Sequence, residues 1–267
     1  MSTHNTKPQF LRKWGAIIQS VFSIAILIGL WELAAKLFKV PVYLLPAPTD
    51  IYAALAKLKS GLLLSHIGAT LKTIGLGFAF SIITSIPLAI LITSSKLVSR
   101  LVYPLLILSQ SIPKVALAPI LIILMGANES PRILITFLVA FFPLVIATAS
   151  GLMATPPELV ELSRSYRAGR LKEFTKIRLP YAVPFIFSGL KVAGTLAVVG
   201  AVVGEFVAAN KGLGYLITTS MAFSEPAVAW GAVVLLAFMG MVLFLIISVL
   251  EKVLFPWAQT DNISEAW

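Results

Sequence analysis

The sequence predicts an all-α integral membrane protein of six transmembrane helices, and three observations carry that prediction. Of the 267 residues, 58% are apolar and only 12% are charged, about half the charged share of an ordinary soluble domain. The mean hydropathy is +0.96, so the apolar residues lack a polar shell able to face water. Apolar stretches close to the ~20 residues that cross a bilayer recur at 17–38, 74–92, 101–125, 133–153, 185–208 and 227–250.

The first stretch follows Lys7, Arg12 and Lys13. A signal peptide begins the same way, but this apolar run exceeds the ~7–15 residues of such a segment and has no A-x-A-like cleavage site, so a retained helix is expected. Residues 39–66 form an outer loop in which Pro41, Pro46 and Pro48 precede Thr49 or Asp50 as an N-cap, predicting a short surface helix over 51–58. The spans 74–92, 133–153 and 227–250 carry no charge, and Pro87 and Pro143 are expected to kink the first two.

Span 101–125 holds Lys114 between Pro113 and Pro119. A charge at membrane depth is costly and normally faces a cavity or a partner, which makes Lys114 a candidate for the translocation pathway. Ser109, Gln110 and Ser111 fill the preceding turn and can serve backbone groups freed by a break. Span 185–208 carries Lys191 towards its inner boundary and Glu205 at the outer mouth, the latter a candidate gate or binding-protein contact. Gly194, Gly200 and Gly204 in that span suit close helix packing.

Orientation follows from the basic residues. With the N-terminus inside, Lys96, Arg100, the segment from Arg164 to Arg178 and the C-terminus also lie inside, where Lys and Arg collect. The net charge of +10 is thus a topology signal first and a nucleic-acid signal last. The chain has no Cys and only His4 and His66, which argues against a disulfide framework, a metal site and thiol or imidazole catalysis. No G-x-x-x-x-G-K-[ST] phosphate loop is present, so nucleotide is not expected to bind this chain. The whole of 1–267 reads as one membrane domain.

The longest charged stretch lies between the fourth and fifth spans, residues 156–184. Pro156 and Pro157 can start a helix, Glu158 and Glu161 suit its positive end, and Leu159, Leu162 and Tyr166 share one side. Ala168-Gly169 is expected to make a tight positive-φ turn into a second helical piece that ends at Leu179-Pro180. On these grounds alone the segment suits a basic helix lying on headgroups as well as a docking element.

The loop resembles the signature cytoplasmic loop of binding-protein-dependent ABC importer permeases. Glu161, Leu162 and Ser163 sit at the Glu-Ala-Ala positions, and Ile177, Leu179 and Pro180 match the end of the motif. The family's usual Gly position holds Arg167, with Gly169 two residues on, so the turn is expected to have moved downstream. Residues 43–48 (YLLPAP), 113–119 (PKVALAP) and 212–217 (GLGYLI) are similar to further segments of the nitrate/sulfonate/taurine/bicarbonate branch.

The resemblance implies a type I importer fold in the bacterial inner membrane with both termini cytoplasmic. It also implies a second permease chain, expected to be a copy of this one, a cytoplasmic ATPase dimer that carries the ATP and Mg, and an external solute-binding protein. The ATPase-coupling residues it implies are Glu161, Ser163, Arg164, Tyr166, Arg167, Ala168, Gly169, Ile177, Leu179 and Pro180. Its solutes would be small anions or heteroaromatic vitamin precursors. An ion-coupled secondary transporter or channel is the rival reading, since Lys114 and Glu205 can couple an ion, but it leaves the 156–184 loop without a task.

Overall fold

The computed structural model describes residues 9–258, and every regular element among them is helical. Lys7 lies outside the described residues, as do the side chains of Arg12 and Lys13.

Helix α1 (Gln9–Leu37) contains the first expected span and is 29 residues long. Helix α2 (Pro48–Lys57) starts earlier than the sequence suggested. Its N-cap is Ala47, whose amide donates to the Asp50 carboxylate at 3.3 Å. Thr49 is not free to cap, because its amide and hydroxyl both donate to Glu32 of α1, at 3.1 and 2.8 Å. Trp31 then sets α1 against Trp230, with ring centroids 6.1 Å apart.

Helix α3 (Ser60–Thr93) is followed by α4 (Lys96–Ser109), a single 3-10 turn over Lys114–Leu117 and α5 (Ala118–Met125). The stretch 101–125, expected as one span, is therefore two helices bent by 75°. Pro113 has no amide to continue the α4 ladder, and Pro119 suits the first turn of a new helix. Helix α6 (Glu129–Met153) begins at an N-cap, Asn128, whose side chain accepts from the Ser130 amide at 2.8 Å.

Helix α7 (Pro157–Ser165), α8 (Arg170–Glu173) and a π turn over Phe174–Arg178 make up the charged loop. The π turn runs without a break into α9 (Leu179–Ala208), so Arg170–Ala208 is one helical rod of 39 residues, ~58 Å long at 1.5 Å per residue. The 209–226 connection contains α10 (Leu213–Ala222), and α11 (Pro226–Leu254) closes the chain. Helices α3, α6, the rod and α11 are each long and apolar enough to cross a membrane, and the bent α4–α5 pair passes when taken together, so the described residues give five such spans against the six expected.

Helix α6 lies between α3 and α9 along most of its length. The approach is closest at Thr136, which Gly77 and Gly200 sandwich: a Cβ at Gly77 would stand 2.5 Å from the Thr136 Cβ, and one at Gly200 would stand 2.8 Å from its Cα. Small residues allow such backbone contact, and side-chain hydroxyls bind the helices further. Ser81 and Ser85 of α3 donate to the Phe137 and Phe141 carbonyls of α6 at 3.0 and 3.1 Å. Lys191 of α9 pairs with Glu251 of α11 at 2.6 Å, which gives this charge a partner inside the bundle. One end of the bundle carries α7 and α8, and the opposite end carries Asn128 and α10.

Candidate functional site

At the loop end, α7 stops in a Schellman motif. The Arg167 amide donates to the Arg164 carbonyl at 2.8 Å and the Ala168 amide to the Ser163 carbonyl at 3.0 Å, the paired bonds that close a helix whose next residue turns left-handed. That residue is Arg167, at φ +52°. The expected turn at Ala168-Gly169 is thus corrected. Gly169 is extended, at φ −67° and ψ 158°, and serves as the N-cap position of α8. The turn stays where the motif places a glycine, and this chain fills it with an arginine.

Around that turn Leu162, Tyr166 and Leu171 are exposed, Tyr166 by 81%. Glu161 and Arg164 are exposed beside them, Ser163 is buried, and Ile177, Leu179 and Pro180 are half-buried where the loop meets α9. A residue absent from the sequence reading organises the loop: Glu173 is buried and accepts from Arg178 Nε at 2.8 Å. It is the sole acid between Arg164 and Arg178, which is the signal that could have found it.

At the break, Lys114 caps the end of α4. Its ammonium donates to the Ser109 carbonyl at 3.1 Å and the Gln110 carbonyl at 3.4 Å, and it stands 4.7 Å from the centre of the Phe142 ring. The Ser109 hydroxyl donates to the Leu106 carbonyl at 2.6 Å. Gln110 and Ser111 remain exposed. The structure therefore brings Ser109, Gln110 and Lys114 together, and gives Lys114 partners within its own chain.

At the opposite end, Glu205 packs against the start of α10. It is 1% exposed, and its Oε2 accepts from the Gly214 amide at 2.7 Å. The two amides before it are taken by distant side chains: Gly212 donates to His66 Nδ1 at 3.0 Å and Leu213 to Thr70 Oγ1 at 2.8 Å. These groups meet the orphan donors and the positive dipole of a helix start. Gly212 adopts φ +130°, and a Cβ there would fall 2.3 Å from the Glu205 carboxyl carbon. Glu205 thus clamps the start of α10. His66 and Thr70 lie more than 140 residues from their partners in sequence, so no local pattern announces them. Beside the clamp is a cavity of about 610 Å³ lined by Thr73, Arg132, Glu205, Lys211, Tyr215 and Thr218. Lys114 is not among its residues.

Residues 81–259 match the family described as "Binding-protein-dependent transport system inner membrane component". The chain belongs to that family. Among its relatives, the permease is 36% identical to the formylaminopyrimidine transport permease protein ThiX of Halalkalibacterium halodurans, over 92% of this chain and 98% of that one. It is 31% identical to the riboflavin transport system permease protein RibX of Chloroflexus aurantiacus, over 92% and 91%. It is 27% identical to the putative aliphatic sulfonates transport permease protein SsuC of Escherichia coli, over 96% and 98%. The fold matches a chain of the inward-facing MetNI methionine ABC transporter with a TM-score of 0.64 at 20% identity, over 73% of the permease and 96% of that chain. The permease is thus a helical, multi-pass inner-membrane component of an ABC importer.

Proposed function

We propose that two copies of the permease form the translocation pathway of an ATP-driven importer. A cytoplasmic ATPase dimer docks on the 156–184 loop, and an external solute-binding protein docks at the α10 end. Both termini lie in the cytoplasm. ATP and Mg are held by the ATPase, and this chain binds no cofactor.

The observation that carries the reading is the surface of the loop. Leu162, Tyr166 and Leu171 stand exposed around a single turn, ringed by Glu161, Arg164, Arg167 and Arg170. Apolar anchors within a charged rim are the anatomy of a protein interface.

The pathway runs past the break between α4 and α5. Residues 110–113 leave the helical ladder with exposed side chains, and irregular backbone at membrane depth is tolerated only where protein covers it or water lines it. For the solute, the 36% identity to a formylaminopyrimidine permease over nearly its whole length favours a small nitrogen heterocycle over a sulfonate.

The test is reconstitution in proteoliposomes with the cognate ATPase and binding protein. Expected is uptake of a formylaminopyrimidine that needs ATP inside the compartment holding the ATPase and that persists when ion gradients are collapsed. Uptake driven by an ion gradient without nucleotide overturns the reading.

A further inference from the structure

We infer that Glu173 is the positioning residue that makes the two arms of the loop move as one body, an inference that rests on the docking role proposed above. The arms are α7, which offers Leu162 and Tyr166 to a partner, and the α8–π–α9 rod, which enters the membrane. They are joined by the turn at Arg167, whose φ of +52° is a conformation that only glycine adopts without strain. The two Schellman bonds hold this turn against local preference, and α7 touches α8 little elsewhere.

Glu173 supplies the stiffness. It is 8% exposed, whereas Glu158 and Glu161 are exposed. Its Oε1 lies 2.8 Å from Nε and 2.7 Å from Nη2 of Arg178. Its Oε2 faces Nε of Arg164, in the last turn of α7, at 3.5 Å. One carboxylate thus links α7, α8 and the π turn. The π turn is what makes this possible. Residues five apart in an α-helix point away from each other at 100° per residue, whereas a π turn closes its bonds from i to i+5 and brings such a pair to one side.

A push on α7 consequently reaches the membrane through the Arg164–Glu173–Arg178 set. Because Glu173 belongs to the 39-residue rod Arg170–Ala208, whatever moves its carboxylate moves the spanning helix. The pair is worth little as surface electrostatics, since the Arg164 side chain is 66% exposed. Its role is geometric, and a carboxylate whose two oxygens face different arginines, Oε1 towards Arg178 and Oε2 towards Arg164, suits that role.

The experiment uses the full transporter, permease with its ATPase, in proteoliposomes, and reads the rise in ATP hydrolysis when the cognate binding protein is added. For Glu173→Ala, the ATPase is expected still to co-purify while the stimulation falls roughly tenfold. Glu173→Ala combined with Arg178→Ala is expected to lose no more than the single variant, because both remove the same link. If Glu173→Ala does not reach the membrane, Glu173→Gln, which keeps the shape and loses the charge, carries the test with a smaller loss in the same direction. Leu162→Asp and Tyr166→Ala separate the two ideas. Full stimulation in Glu173→Ala or Glu173→Gln, with stimulation lost in Leu162→Asp and Tyr166→Ala, overturns the positioning role and leaves docking standing. Full stimulation in all of them overturns docking, and the positioning role with it.

Discussion

Replacing Arg167 by Gly takes a Cβ off a backbone held at φ +52°, and the expected gain for the loop is about 1 kcal/mol. Hydrogen–deuterium exchange over residues 157–178 should show it as slower opening. Gly169→Val is expected to leave exchange unchanged, because Gly169 is extended and a Cβ there meets nothing within 4 Å. The sequence spelled out the motif around this turn but not its geometry: a glycine nearby looked like the turn residue, and only the hydrogen bonds of the Schellman motif show that Arg167 bears the strain. At the other end, Gly212→Ala combines φ +130° with a clash against the Glu205 carboxylate. A loss on the order of 3 kcal/mol is expected in thermal or denaturant unfolding. In a Glu205→Ala background the penalty should shrink, since the atoms that clash are gone. An undiminished penalty there would show that backbone strain alone, and not the clamp, sets the cost.

Among the elements, the broken span shows both what was readable and what was hidden. Pro113, Lys114 and Pro119 marked the break in the sequence, but the apolar run of 101–125 carried no measure of its 75° angle. Hydropathy measures the transfer of side chains and is blind to direction. The same blindness hides α10, because its start is secured by His66 and Thr70 of α3, more than 140 residues away, and by Glu205 of the preceding helix. Lys114→Met removes the cation from the Ser109 and Gln110 carbonyls. Uptake is expected to fall several-fold while insertion and ATPase association persist, as measured by transport assay and co-purification. Lys114→Arg should retain most of the activity, since a guanidinium also donates to carbonyls and stacks on Phe142. Wild-type uptake in Lys114→Met would reduce the residue to a dispensable cap.

For the whole molecule, the sequence stated the class without ambiguity, because charge content and hydropathy are summed over the chain and need no geometry. Orientation relies on the same kind of sum. A reporter fused after Trp257 is expected in the cytoplasm and one inserted beside Asn128 outside, as assayed by paired enzymatic reporters. Finding Trp257 outside would reverse every assignment of partner to face. The ion pairs were not legible, since Lys191 and Glu251 lie 60 residues apart and meet only once α9 and α11 are packed.

Thr136, held between Gly77 and Gly200 with no room for a methyl on either side, has a mechanical meaning. Helices in backbone contact cannot rotate about their own axes or part by a fraction of a turn without breaking that contact, because at Thr136 the facing residues are glycines with no side chain to absorb the shift. Helices α3, α6 and α9 therefore behave as a single plate, and access to either side of the membrane must come from tilting whole plates against the α4–α5 pair or against a second copy. Spin labels can read this directly, since the chain has no native cysteine to remove. Label pairs spanning α6 and α9 should keep one distance through the ATP cycle, while pairs from α6 to α5 should move between two.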